Sequence, residues 1–120
     1  MLQERYLDSV KVTSVDYDLL MATLKRIAGD MRNQNLEVRR ILLYGSFVRG
    51  DFTPESDLDL IIIVGKADTP FLFRAERFME FFRGVPLEVN IHVYTEGEIT
   101  KMKEKGNRFI VEVMEEAREL

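Results

Sequence analysis

Residues 58 to 64 read Leu-Asp-Leu-Ile-Ile-Ile-Val, and this run restricts the fold more than any other. Its later half is β-branched and free of polar residues, the mark of a buried strand. Yet the chain enters it through Asp57 and Asp59. Side chains two apart on a strand point the same way, so both aspartates share one face while Leu58 and Leu60 take the other. Aspartate is among the poorest strand formers. A strand of this kind requires covering layers, and its two acids require a purpose.

The flanking segments supply the layers. Tyr17, Leu20, Leu24, Ile27 and Met31 fall at helical spacing, which predicts a helix over 16–32 with Asp16 or Ser14 as its cap. Residues 38–44 read as a buried strand stopping at Gly45. A helix is predicted from Thr69 and Pro70 to Gly84 and Pro86, with Phe71, Phe78 and Phe82 on its core face. Residues 87–94 alternate as a third strand, and Thr95 with Glu98 forms a capping-box signature. Gly106-Asn107 interrupts that helix, after which a stripe from Phe109 to Ala117 continues to the C-terminus. The order predicts an α+β fold, a small mixed β-sheet covered by helices. No repeat, low-complexity tract or linker divides the 120 residues, so one domain over 1–120 is expected.

Composition narrows the function classes. Hydrophobic residues make up 46% and charged residues 32%, a balance of folded rather than disordered chains. There is no long uncharged apolar run for a membrane span and no apolar leader at the start. Without cysteine, disulfides and thiolate metal sites are excluded, and a cytoplasmic location is the default expectation. Net charge is −4. Lys101, Lys103 and Lys105 lie among glutamates and read as a solvated helix face, so nucleic acid is not expected as a main partner.

Two carboxylates side by side repel unless protonated or bridged by a cation. Hard ions such as Mg²⁺ take oxygen ligands and commonly combine one or two carboxylates with substrate phosphates. The turn upstream offers the complementary groups: Gly45 permits close approach to backbone N–H groups, Ser46 adds a hydroxyl, and Arg49 a guanidinium fork. A nucleoside triphosphate with its magnesium needs both kinds. Gly45 and Gly50 have P-loop spacing, but Asp51-Phe52 stands where Lys-Ser/Thr is required. An EF-hand loop from Asp57 would place Ile61 at a ligand position. A turn with surface aspartates leaves the combination unexplained.

Gly45-Ser46, Arg49-Gly50 and Ser56-Asp57-Leu58-Asp59 resemble the signature of the DNA polymerase β-like nucleotidyltransferase superfamily, and within it the minimal nucleotidyltransferase (MNT) branch. The resemblance implies that Gly45 and Ser46 hold the phosphates of ATP or another triphosphate, with Arg49 and Ser56 beside them. It also implies that Asp57 and Asp59 bind two Mg²⁺ ions. A third acid is usual on a neighbouring strand, where Glu88, Asn90 and His92 share a face. Registering that strand on Tyr94-Thr95, as in related minimal enzymes, puts Asn90 where an aspartate is expected. Registering it on Glu88-Val89-Asn90 resembles the aminoglycoside-modifying relatives, where a glutamate serves. Glu88 is the expected third acid and metal ligand; Asn90 in that position would mean weak or absent catalysis. His92 reads as a structural histidine at a strand end, and Arg49 as either a phosphate ligand or the partner of Asp51 or Glu55.

The resemblance further implies an acceptor presented by another chain or across a homo-oligomer. In minimal members the partner is a small helical HEPN-type protein, and the two form a toxin–antitoxin pair in which AMP is attached to the partner. Two readings follow: a magnesium-dependent transfer of a nucleoside monophosphate onto a hydroxyl, or an antitoxin-type binding module that neutralises its partner by contact with little or no catalysis.

Overall fold

The computed structural model describes residues 1–120. A hairpin of β1 (Leu2–Leu7) and β2 (Val10–Val15) comes first, followed by α1 (Tyr17–Gln34), β3 (Val38–Tyr44), the single turn α2 (Ser46–Arg49) and β4 (Leu58–Val64). Then come α3 (Glu76–Met79), β5 (Val89–Thr95), α4 (Glu96–Glu104), α5 (Arg108–Glu116) and β6 (Arg118–Glu119). The main sheet has the order β5-β4-β3-β6. β4 and β5 run parallel, while β3 is antiparallel to β4 and to β6, so the sheet is mixed. No helix is long and apolar enough to cross a membrane.

Alternation along β4 sets the two layers. Leu58, Leu60, Ile62 and Val64 face the larger core with Leu20, Leu24 and Met31 of α1, Phe47, Phe78 and Phe82. Ile61 and Ile63 face a smaller core with Leu42, Ile99 of α4 and Ile110 and Val113 of α5. Burial on both faces explains the unbroken apolar run of the later strand. Asp57 and Asp59 have the parity of Ile61, so they lie on the α4/α5 side, at the end of the strand.

Helix ends follow the local chemistry. Asp16 Oδ1 accepts from Leu19 N–H (3.1 Å) and caps α1, while Asp16 Oδ2 accepts from Gln3 Nε2 (3.3 Å). Thr95 and Glu98 close a reciprocal capping box on α4, and Asn107 caps α5.

Three features depart from the expectations. The helix predicted after Pro70 is broken into a 3₁₀ turn at Phe71–Phe73, α3, and a second 3₁₀ turn at Glu80–Phe82. Phe78 and Phe82 are buried, but Phe71 is 37% exposed and packs beside His92 and Tyr94 rather than in the core. The last helical stripe stops at Glu116, and the chain turns into β6 along the free edge of β3. Residues 2–15 form a separate two-stranded sheet whose strands are almost wholly exposed.

Candidate functional site

The candidate site lies where β3 ends and β4 and β5 begin. Gly45 leaves β3 with φ 82° and ψ −155°, a region open essentially to glycine alone. A Cβ on Gly45 would also collide with the Asp59 carboxylate. Glycine is therefore required by conformation and by the close approach of Asp59. Val48 and Arg49 N–H groups both donate to Gly45 C=O, and Gly50 closes the turn in the left-handed region.

The parallel register places Asn90 directly beside Asp59. Asn90 Nδ2 donates to Asp57 Oδ2 (3.2 Å) and to Asp59 Oδ1 (3.3 Å), which relieves the repulsion of two adjacent carboxylates. Asp57, Asp59 and Asn90 are thus brought together. Glu88, the expected third acid, is not. It sits one residue before β5, is exposed, and its backbone carbonyl continues the ladder by accepting from Leu58 N–H (2.8 Å). No three carboxylate, histidine or cysteine side chains gather into a set that would hold a metal. The donor chemistry suits one hard cation: two carboxylates plus an amide that would offer Oδ1 if turned over. It lacks the third carboxylate expected for a second ion.

On the anion side, Arg49 Nη1 donates to Glu116 Oε1 (3.1 Å) and Nε to Asp51 Oδ2 (3.4 Å). These bonds raise the Arg49 guanidinium above its ordinary value, Glu116 first and then Asp51. Gly45 N–H donates to Glu116 Oε2 (2.8 Å). Ser46 is partly buried at the start of α2. Ser56 Oγ accepts from Thr53 N–H (2.8 Å) and so closes the loop that leads into Asp57. Glu55 is exposed in that loop.

Aromatic groups border the acids. Tyr44 is opposite Asp59 in the β3–β4 register, and its phenol is pushed up to about 12 by burial, then by Asp59, Tyr94 and Glu116. Tyr44 Oη lies 3.4 Å from His92 Nδ1, the structural contact expected for the lone histidine. Phe71 and Phe109 complete the aromatic border, each packing against His92. Glu116 escaped the sequence reading, since 71 residues separate it from Gly45 and no local pattern marks it.

Comparison with known proteins bears on the family and the fold. The model of the nucleotidyltransferase domain family matches residues 24–120. A protein of Methanocaldococcus jannaschii, provisionally named a protein adenylyltransferase, is 49% identical over 35 residues, which are 29% of this chain and 34% of that protein. The matched stretch thus spans about a third of that relative's length. A crystal structure from Sulfolobus solfataricus, titled as that of a nucleotidyltransferase still to be verified, superposes with a TM-score of 0.57 at 23% identity, covering 71% of this chain and 75% of that one. At this identity the likeness concerns the fold. With the family model covering most of its length, the chain belongs to the nucleotidyltransferase domain family.

Proposed function

We propose that the protein transfers a nucleoside monophosphate, AMP from ATP, onto a hydroxyl of a partner protein in a Mg²⁺-dependent reaction. The hydroxyl gives up its proton to solvent as its oxygen bonds to the α-phosphorus, the α-phosphorus bond to the bridging oxygen breaks, and pyrophosphate leaves with that oxygen. The observation that carries this reading is the meeting of two opposite kinds of group around Gly45: a backbone N–H and the Arg49 guanidinium, which hold a carboxylate, on one side, and the Asp57–Asp59 pair on the other. Asp57 and Asp59 would hold the cation that accompanies the triphosphate, with Asn90 Oδ1 turned toward it. Gly45 N–H, Ser46 and Arg49 would take phosphate oxygens. A bound divalent ion supplies charge neutralisation and polarisation at the transferred phosphoryl group.

A protein acceptor is favoured by the name carried by the M. jannaschii relative. A small helical HEPN-type partner, paired with this chain as toxin and antitoxin, is the acceptor that the sequence resemblance suggests. The second reading is a contact-only antitoxin. It is favoured by Asn90, because a neutral amide next to the aspartates cannot take the proton of the attacking hydroxyl.

Incubation with Mg²⁺, α-³²P-labelled ATP and a co-expressed HEPN-type partner separates the two. Label on the partner that vanishes in Asp57→Asn and Asp59→Asn is the expected result. Neutralisation of the partner that survives both substitutions, without label, would replace transfer by the contact-only reading.

A further inference from the structure

Glu116 stands in an unusual place for a carboxylate. It is the last residue of α5, whose final turn contains no basic residue, and the C-terminus of a helix disfavours negative charge. Nothing within the helix compensates it. Its two oxygens are instead divided between Gly45 N–H (2.8 Å) and Arg49 Nη1 (3.1 Å), two of the groups assigned above to phosphate oxygens. Its side chain is 25% exposed, while that of Arg49 is 51% exposed. The carboxylate is thus the more deeply seated member of the pair.

The backbone on both sides of Glu116 is fixed independently of this contact. Ala117 N–H donates to Val113 C=O (2.8 Å), β6 pairs with Leu42 and Leu43, and Leu120 N–H donates to Ile41 C=O (2.9 Å). Releasing Glu116 therefore requires rotation of one side chain and no movement of an element. Held in place, it adds a third negative charge to the surroundings of Gly45, where the Asp59 carboxylate already fills the space a Cβ would take.

We propose that Glu116 is an internal competitor for the phosphate position: its carboxylate occupies Gly45 N–H and Arg49 until a triphosphate displaces it. The inference rests on the reading of the site under Proposed function, and it adds a threshold to that site. Without substrate the anion donors are satisfied from within, and only a polyanion that brings its own cation to Asp57 and Asp59 removes the excess negative charge. The opposite role, in which Glu116 braces Arg49 for phosphate binding, predicts the opposite sign.

Isothermal titration calorimetry with Mg²⁺ and α,β-methylene-ATP, which resists cleavage at the transferred bond, gives that sign. Glu116→Gln and Glu116→Ala are expected to lower the Kd about fivefold, the scale of one water-exposed ion pair. Glu116→Asp, with its reach shortened by one methylene, shifts the Kd in the same direction and serves if the others fail to fold. A Kd unchanged or raised in all three, with wild-type binding lost in Asp59→Asn, overturns the competitor and leaves the site standing. No binding in the wild type or any Glu116 variant overturns both.

Discussion

Asn90 donates one amide to both acids of the pair, placing a neutral side chain where a third charge would otherwise stand. Replacing it by aspartate would gather three carboxylates at the start of β4 and β5 with nothing but solvent to separate their charges. Without metal, Asn90→Asp is therefore expected to melt several degrees below the wild type, and millimolar Mg²⁺ is expected to restore most of the loss. If the amide stands where the reaction calls for an acid, the same variant transfers label about 100-fold faster. Thermal unfolding with and without Mg²⁺, together with the labelling assay, checks both parts. An Asn90→Asp variant that is indifferent to Mg²⁺ would mean that the aspartates do not hold the cation. Gly45 is equally constrained, since it joins the two halves of the site by having no side chain.

At the level of elements, the capping box of α4 offers a pH-dependent test. Glu98 is held below its ordinary value first by Arg74, whose Nη1 donates to it at 2.6 Å, and then by Thr95; burial opposes the shift. A carboxylate whose pKa is depressed on folding contributes stability above its unfolded value, and that contribution is lost as pH falls through the folded one. Glu98→Gln is thus expected to cost about 1 kcal/mol at pH 7, allowing for solvent screening of a partly exposed pair. The deficit should shrink as the pH falls below the unfolded value of 4.5, as chemical denaturation at a series of pH values would show. This box was legible in the sequence because its residues are three apart. β4 was legible because its pattern changes from alternation to continuous apolarity where the second helical layer begins. Phe71 was misplaced because a helical stripe from 71 to 82 says nothing of the 3₁₀ turns that divert its first residue toward His92. β6 is two residues long, too short for any period. Whether Asn90 or Glu88 meets the aspartates depends on the β4–β5 register, a long-range property that the alternation of β5 leaves open.

Across the whole molecule, the Cα radius of gyration is 15.9 Å and the principal extents are 55 × 31 × 22 Å. A compact chain of this length would have a radius of about 13.6 Å. The excess reflects the β1–β2 hairpin, which stands off the main sheet and exposes Tyr6, Leu7 and Val10. Neither face of the hairpin separates apolar from polar residues, so the sequence gives it no amphipathic signature. Two strands without a covering layer add little stability of their own. Deleting residues 1–15 is therefore expected to move the thermal midpoint by less than about 5 °C and to leave labelling of the partner intact. A collapse of the unfolding transition would instead make the hairpin integral to the fold.

The attachment of that hairpin has a mechanical consequence. Asp16 faces both ways: its backbone N–H reaches Met1 C=O, one side-chain oxygen holds Gln3, and the other holds the first turn of α1. The residue works as a rivet between an arm and an axle. Through it the arm is tethered to the longest helix, whose Leu20, Leu24 and Met31 pack into the larger core against β4.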